Sequence, residues 1–153
     1  MLFKEINGNL ISLAKEGNYD LIIQGCNCFC TMKAGFAKDI ARNFVDAVRV
    51  DAKTIKGDIT KLGNYTIGKY QHYNQPSFLI INCYTQYRAD RTSMQLDYEA
   101  LILCLRKINF NFSGKKIGVP LIGCGLAGGD WNIVKGILQT ELVDMDVTVV
   151  HYE

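Results

Sequence analysis

The segment Val119-Pro120-Leu121-Ile122-Gly123-Cys124-Gly125-Leu126-Ala127-Gly128-Gly129-Asp130-Trp131 joins an apolar run to a helix-like pattern through four glycines within seven residues. Glycine has no Cβ, so the backbone can turn sharply and bring its N–H groups close to a ligand. The helix that follows points its unpaired N–H groups and positive dipole end into the same space. Strand, glycine loop and helix N-terminus together make a seat for phosphate. A second loop of small residues, Gly25-Cys26-Asn27-Cys28-Phe29-Cys30-Thr31-Met32-Lys33-Ala34-Gly35-Phe36-Ala37, lies between another apolar run and another helix pattern. Two such cradles suit a pyrophosphate gripped from both sides. Asn27 carries a donor and an acceptor and could hold a sugar hydroxyl. The residue type alone favours a plainer role as a turn former.

The elements that must position these loops follow from periodicity. Apolar or β-branched runs at residues 2–6, 20–24, 65–73, 78–83, 115–122 and 146–152 predict strands. Asn9 can cap a helix over 10–16 that Gly17 stops. Phe36, Ala37, Ile40, Ala41, Phe44, Val45 and Val48 have helical spacing with one apolar face, so one helix is expected to run from Gly35 through Val48. Further helices are predicted over 96–108 and 131–142. The turn residues Asn74-Gln75-Pro76-Ser77 imply a hairpin between 65–73 and 78–83. Strands alternating with helices, with one hairpin interrupting, predict an α/β fold. It is a three-layer α/β/α sandwich with a mixed, largely parallel sheet. The whole chain, residues 1–153, reads as a single domain. Ligands in such sheets bind beyond the carboxyl ends of the strands, where loops 25–35, 84–92 and 123–130 would open.

Several other chemistries fit part of the pattern. Gly123-x-Gly125-x-x-Gly128 matches the dinucleotide fingerprint, with Asp144 and Asp146 near its acidic position. That fingerprint belongs to the first strand–helix unit of a sheet, whereas one strand follows here. Gly63 to Lys69 approaches a P-loop, but Tyr70 stands where a magnesium-binding hydroxyl is needed, and a strand follows in place of a helix. The six cysteines at 26, 28, 30, 83, 104 and 124 lack a second knuckle, and the two histidines, His72 and His151, lie in strand-like contexts. No metal or cofactor is therefore expected, and the thiols read as reduced. Cys26, Cys28 and Cys124 could be nucleophiles, but no histidine is placed to activate them. Lys33, Lys38, Arg42 and Arg49 are interleaved with Asp39, Asp46 and Asp51, and the net charge is +2. That describes a solvated helix face and argues against a nucleic-acid surface. No run is long enough to span a membrane, and the N-terminus is not a signal peptide. The expectation is a cytoplasmic monomer with no membrane partner (in the host cytoplasm, if viral).

Taken in order, Gly25-Cys26-Asn27, Met32-x-Ala34-Gly35-x-Ala37, Asn82-x-Tyr84-Thr85-Gln86 and Pro120-x-Ile122-Gly123-x-Gly125-Leu126-Ala127-Gly128-Gly129-Asp130-Trp131 resemble the macro domain. They are most similar to the small bacterial, phage and yeast proteins of its ADP-ribose-1''-phosphate phosphatase and terminal ADP-ribose glycohydrolase branch. The resemblance covers essentially the whole chain. It implies an α/β/α fold that binds ADP-ribose, with Lys33, Ala34, Gly35, Phe36 and Ala37 on one side of the pyrophosphate. Gly123, Cys124, Gly125, Leu126 and Ala127 would lie on the other. It also implies Asn27 on the distal ribose, Thr85 and Gln86 near the ligand, and Asn9, Leu10 and Ile11 beside the adenine.

Three features depart from the family pattern. Asn9 stands where the family has an aspartate that meets the adenine amine. Gln24 stands where close relatives have histidine, and it cannot be a general base. Asn82-Cys83-Tyr84 and Ala127 stand where the glycohydrolases have a lysine and an aspartate, so the lysine-adduct mechanism looks absent. The resemblance implies hydrolysis of ADP-ribose 1''-phosphate as the activity, with Asp130 and Asn27 as candidate catalytic residues. Asp130 could position or deprotonate a water, or simply cap the helix at Trp131. The alternatives are a reader or sequestering module for ADP-ribose or ADP-ribosylated macromolecules, and an ADP-ribosyl hydrolase without the lysine.

Overall fold

A computed structural model describes residues 2–89 and 94–152. Six strands form one sheet: β1 (Leu2–Gly8), β2 (Leu21–Cys26), β3 (Tyr65–Tyr70), β4 (Phe78–Tyr84), β5 (Lys116–Val119) and β6 (Asp146–Tyr152). Their order is β1-β6-β5-β2-β4-β3. Every pairing is parallel except β3 with β4. Leu21 lies between Ile117 and Leu79, and Ile117 in turn lies beside Val147, so the central strands carry their apolar runs in register.

Helices cover both faces. α1 (Leu10–Lys15), α2 (Gly35–Asn43) and α3 (Val45–Ala52) lie on one side. There Leu10, Ile11, Ile40 and Ala47 pack with Ile22, Ile80 and Val150. On the other side are α4 (Tyr98–Asn111) and α5 (Trp131–Glu141), whose Leu101, Leu105, Val134 and Leu138 pack on Ile23, Ile81 and Val149. Consecutive residues of a strand point to opposite faces, so a run such as Leu21-Ile22-Ile23 feeds both cores at once. This is the expected α/β/α sandwich with a mixed, mostly parallel sheet. Among the described residues, no helix is long and apolar enough to cross a membrane.

Three boundaries differ from expectation. The single helix over 35–48 is two, because Phe44 leaves helical geometry at φ −132° and ψ 87°. Its ring turns into the core and meets Tyr70 and Phe78 edge-on at 5.2 and 5.5 Å. Burial of one aromatic side chain outweighs continuity of the helix. The strand expected over 115–122 stops at Val119, before Pro120, which has no N–H to donate to a ladder. The strand expected over 65–73 stops at Tyr70, which leaves His72 beyond β3 and only His151 on a strand. The caps read from the sequence form: Asn9 accepts from Ser12 N at 3.0 Å and Asp130 from Asn132 N at 2.9 Å, and the structure adds Asp97 and Asp58 as further side-chain caps.

Candidate functional site

The loop after β5 is folded on its own main chain. Cys124 N donates to Leu121 O at 3.1 Å, Gly128 N to Gly125 O at 3.1 Å, and Gly129 N to Gly123 O at 2.8 Å. Gly123 has φ 72°, a conformation that disfavours any side chain. A Cβ at Gly129 would lie 2.4 Å from Leu96 Cδ2 and 2.7 Å from Gly123 O, whereas a Cβ at Gly125 would meet nothing within 4 Å. Among the described residues, the N–H groups of Gly125, Leu126 and Ala127 donate to no backbone or side-chain acceptor. They form a short row of donors at the edge of the sheet.

Opposite lies the loop after β2. Asn27 is buried, with 7% exposure. Its Oδ1 accepts from Phe29 N at 2.8 Å, and its Nδ2 donates to Thr31 O at 3.1 Å and Thr31 Oγ1 at 2.8 Å. Asn27 is thus the turn former that its residue type suggests, and it also faces the cavity described next. The loop delivers the chain to α2, which starts at Gly35 after Ala34, an N-cap residue with no side-chain hydrogen bond. Its first N–H groups and the positive end of its dipole open toward the same space.

Between the two loops lies a cavity of about 1080 Å³. Residues 9–11, 33–37 and 123–127 line it, with Asn27 and Gln86. Two expected residues do not. Thr85 is fully buried, and a Cβ on Gly25 would lie 2.9 Å from its hydroxyl oxygen. Asp130 is exposed and outside the lining; it caps α5 through Asn132 N at 2.9 Å, and its own N–H donates to Tyr98 Oη at 3.0 Å. The loop expected over 84–92 reaches the lining at Gln86 and Ala89, and its residues 90–92 lie outside those described.

Sequence reasoning missed Ser12 and Lys15 of α1, Asp39 and Asn43 of α2, and Val150 and Tyr152 at the end of β6. None has a local signal, because α1 and α2 meet only in the fold, where Lys15 Nζ donates to Asn43 Oδ1 at 2.9 Å. The charged face that carries Asp39 reads in the sequence simply as solvated.

The cavity's thiols are poor nucleophiles. Burial pushes the Cys26 thiol far up, helped by the nearby Asp51 charge. Burial also raises Cys124, with a smaller contribution from the charge on Asp130. Both therefore stay protonated at neutral pH. The lining carries the cations Lys15 and Lys33 and, among the described residues, one carboxylate, Asp39. Among the described residues no group of three or more His, Cys, Asp or Glu could hold a metal.

In open, mostly parallel sheets with helices on both faces, ligands bind beyond the carboxyl ends of the strands, and that is where these two loops meet. The Macro domain family model matches residues 23–138, and the chain belongs to that family. It is 33% identical, over 100% of its own length and 98% of the relative's, to a 17.5 kDa protein of the tk-vs intergenic region of Enterobacteria phage T4. Solved structures share the fold. A protein of unknown function from Bacteroides thetaiotaomicron superposes with TM-score 0.78 at 20% identity, over 99% of this chain and 98% of that one. DarTG of Thermosipho africanus, solved in complex with ADP-ribose, superposes with TM-score 0.67 at 19% identity, over 89% of this chain and 38% of that one.

Proposed function

We propose that the cavity binds ADP-ribose and its derivatives, as a reader or sequestering module. The observation that carries this reading is the pair of donor sets facing across one cavity: the uncapped start of α2 and the unpaired N–H groups of residues 125–127. A pyrophosphate between them would have both phosphates met by main-chain dipoles, with no metal required. Asn27 would then face the distal ribose, and Asn9–Ile11 would face the adenine. The ADP-ribose complex of the Thermosipho protein supports the ligand class.

Hydrolysis of ADP-ribose 1''-phosphate, the activity of the resembling branch, is the second reading. It is favoured by Lys33, which puts a cation in the loop that also carries Asn27. Binding without chemistry has the better support: Asp130 caps α5 outside the cavity, and the lining thiols are held neutral.

Calorimetry with ADP-ribose, AMP and NAD tests the reading. ADP-ribose should bind most tightly, because AMP lacks the pyrophosphate and nicotinamide would crowd the Asn27 end. NAD binding as tight as ADP-ribose would overturn it. Phosphate release from ADP-ribose 1''-phosphate then separates the two readings.

A further inference from the structure

Gln24 on β2 lines the cavity yet is only 1% exposed, and its Oε1 has no hydrogen-bond partner. A side-chain amide can usually flip to bring either end to a partner. Here the neighbours forbid the flip. Asn82 Nδ2 donates to Ala47 O at 2.9 Å, and a carbonyl can only accept. The amide end of Asn82 is therefore fixed toward α3, and its Oδ1 faces Gln24. Gln24 must in turn present Nε2, which donates to Asn82 Oδ1 at 2.8 Å and contacts Met32 Sδ at 3.7 Å.

The same direction continues deeper. Asn82 Nδ2 also donates to Thr66 Oγ1 at 3.1 Å, which lies 3.0 Å from Tyr84 Oη. Tyr84 Oη donates to Asp51 Oδ1 at 2.7 Å. With the one tyrosine proton committed to Asp51, Thr66 must donate to Tyr84. From Gln24 through Asn82, Thr66 and Tyr84 to Asp51 the donors run one way, so Gln24 Oε1 is left as a bare acceptor, buried in a residue that lines the cavity.

We propose that Gln24 is a specificity-determining residue whose Oε1 accepts a hydrogen bond from a hydroxyl of the ligand's distal ribose, its polarity fixed by the one-way chain through Asn82. Two observations place it at that end. Its partner Met32 belongs to the loop of Asn27, and Gln24 precedes Asn27 by three residues on the strand that feeds that loop. A buried acceptor left empty is costly, and a hydroxyl donor relieves that cost. A group offering only acceptors, such as an ionised terminal phosphate, gains nothing there. This rests on the reading of the cavity as an ADP-ribose site.

The test compares ADP-ribose with ADP, which has the pyrophosphate but no distal ribose. Gln24→Met keeps the length of the side chain and removes the amide. It should weaken ADP-ribose about three- to tenfold and leave ADP unchanged. A variant-free measurement guards against misfolding: the Gln24 side-chain carbonyl carbon, followed by NMR, should shift on adding ADP-ribose and not on adding ADP. An unchanged ratio of the two affinities in a folded Gln24→Met protein, or a carbonyl shift equal for both ligands, would overturn the assignment of Gln24 alone. Failure of the parent protein to bind ADP-ribose would instead overturn the cavity reading, and this inference with it.

Discussion

The two loops that face each other across the cavity are built on opposite plans. The loop after β2 is organised by a side chain: Asn27 holds Phe29 N and both Thr31 oxygens, and Cys30 adopts φ 57° within the turn. The loop after β5 is organised chiefly by main chain, with glycine carbonyls accepting from glycine N–H groups. In the second loop the glycines also divide the work. Gly129 is packed, because Leu96 and the carbonyl of Gly123 occupy the place of its missing side chain. Gly125 is open, and the space beside it is cavity. One fingerprint thus contains a glycine whose missing side chain the packing requires and another whose missing side chain leaves only open space.

The largest effect should separate those two. Gly125→Glu puts a carboxylate where a pyrophosphate would sit. Two unit charges at ~4 Å interact by about 4 kcal/mol at an effective dielectric of 20, so ADP-ribose binding should fall about a thousandfold. The fold should survive, since a Cβ there meets nothing within 4 Å. A soluble, folded variant that binds at parental strength would reduce this loop to a structural turn. Gly129→Ala should do the reverse: overpacking against Leu96 and the Gly123 carbonyl costs about 1–3 kcal/mol of stability. Its melting temperature should drop by about 2–4 °C for each of those kcal/mol. A Gly129→Ala protein that melts with the parent would show that the loop can yield where it is packed.

The next effects concern the ends of the loops. Asp130→Ala should lose about 1 kcal/mol of stability as α5 loses its cap, while Asp130→Asn keeps the cap and should melt like the parent. If Asp130 also served as a general base, Asp130→Asn would slow phosphate release about a hundredfold. A position outside the cavity predicts no such loss. Asn27→Ala should weaken ADP-ribose about three- to tenfold with ADP barely affected, one hydrogen bond to a neutral hydroxyl being at stake. Equal weakening for ADP and ADP-ribose would mean that Asn27 matters only for the shape of its loop.

The smallest effect lies behind the second loop, where α5 is tied to β1. Hydrogen bonds from Lys135 and His151 hold the Glu5 carboxyl below its ordinary value. A carboxylate whose folded pKa is lowered stabilises the fold above its unfolded pKa, and this contribution disappears as the pH falls through the folded value. The melting temperatures of the parent and Glu5→Gln should therefore differ slightly at pH 7 and converge in acid. A gap that persists at pH 2 would assign the effect to packing. The site is largely open to solvent, so the gap should also narrow in high salt.

The same contrast explains what the sequence reveals. The glycine loop could be read directly, because a cluster of glycines between an apolar run and a helix has few other physical uses. The sheet could be read from runs such as Leu21-Ile22-Ile23 and Phe78-Leu79-Ile80-Ile81. The break at Phe44 could not, since Phe36 to Val48 keeps helical spacing throughout, and only the rings of Tyr70 and Phe78, distant in sequence, draw Phe44 inward. Lys15 and Asn43 become lining residues through contact between two helices, which no window of sequence contains. Asp130 had two defensible roles in the sequence; it caps α5 through Asn132 N, and Asp130→Asn tests the other role.

A seat made from the N–H groups of Gly125, Leu126 and Ala127 has almost no residue identity to lose. A change of side chain at Cys124 or Leu126 would reshape the rim and exchange neighbours, while the peptide groups beneath would remain the same peptide groups. Selection on such a loop would act on three things: the open glycine, the packed glycine, and the length of chain between them. The Asn27 loop has less of that freedom, because one side chain ties its turn to Phe29 and Thr31.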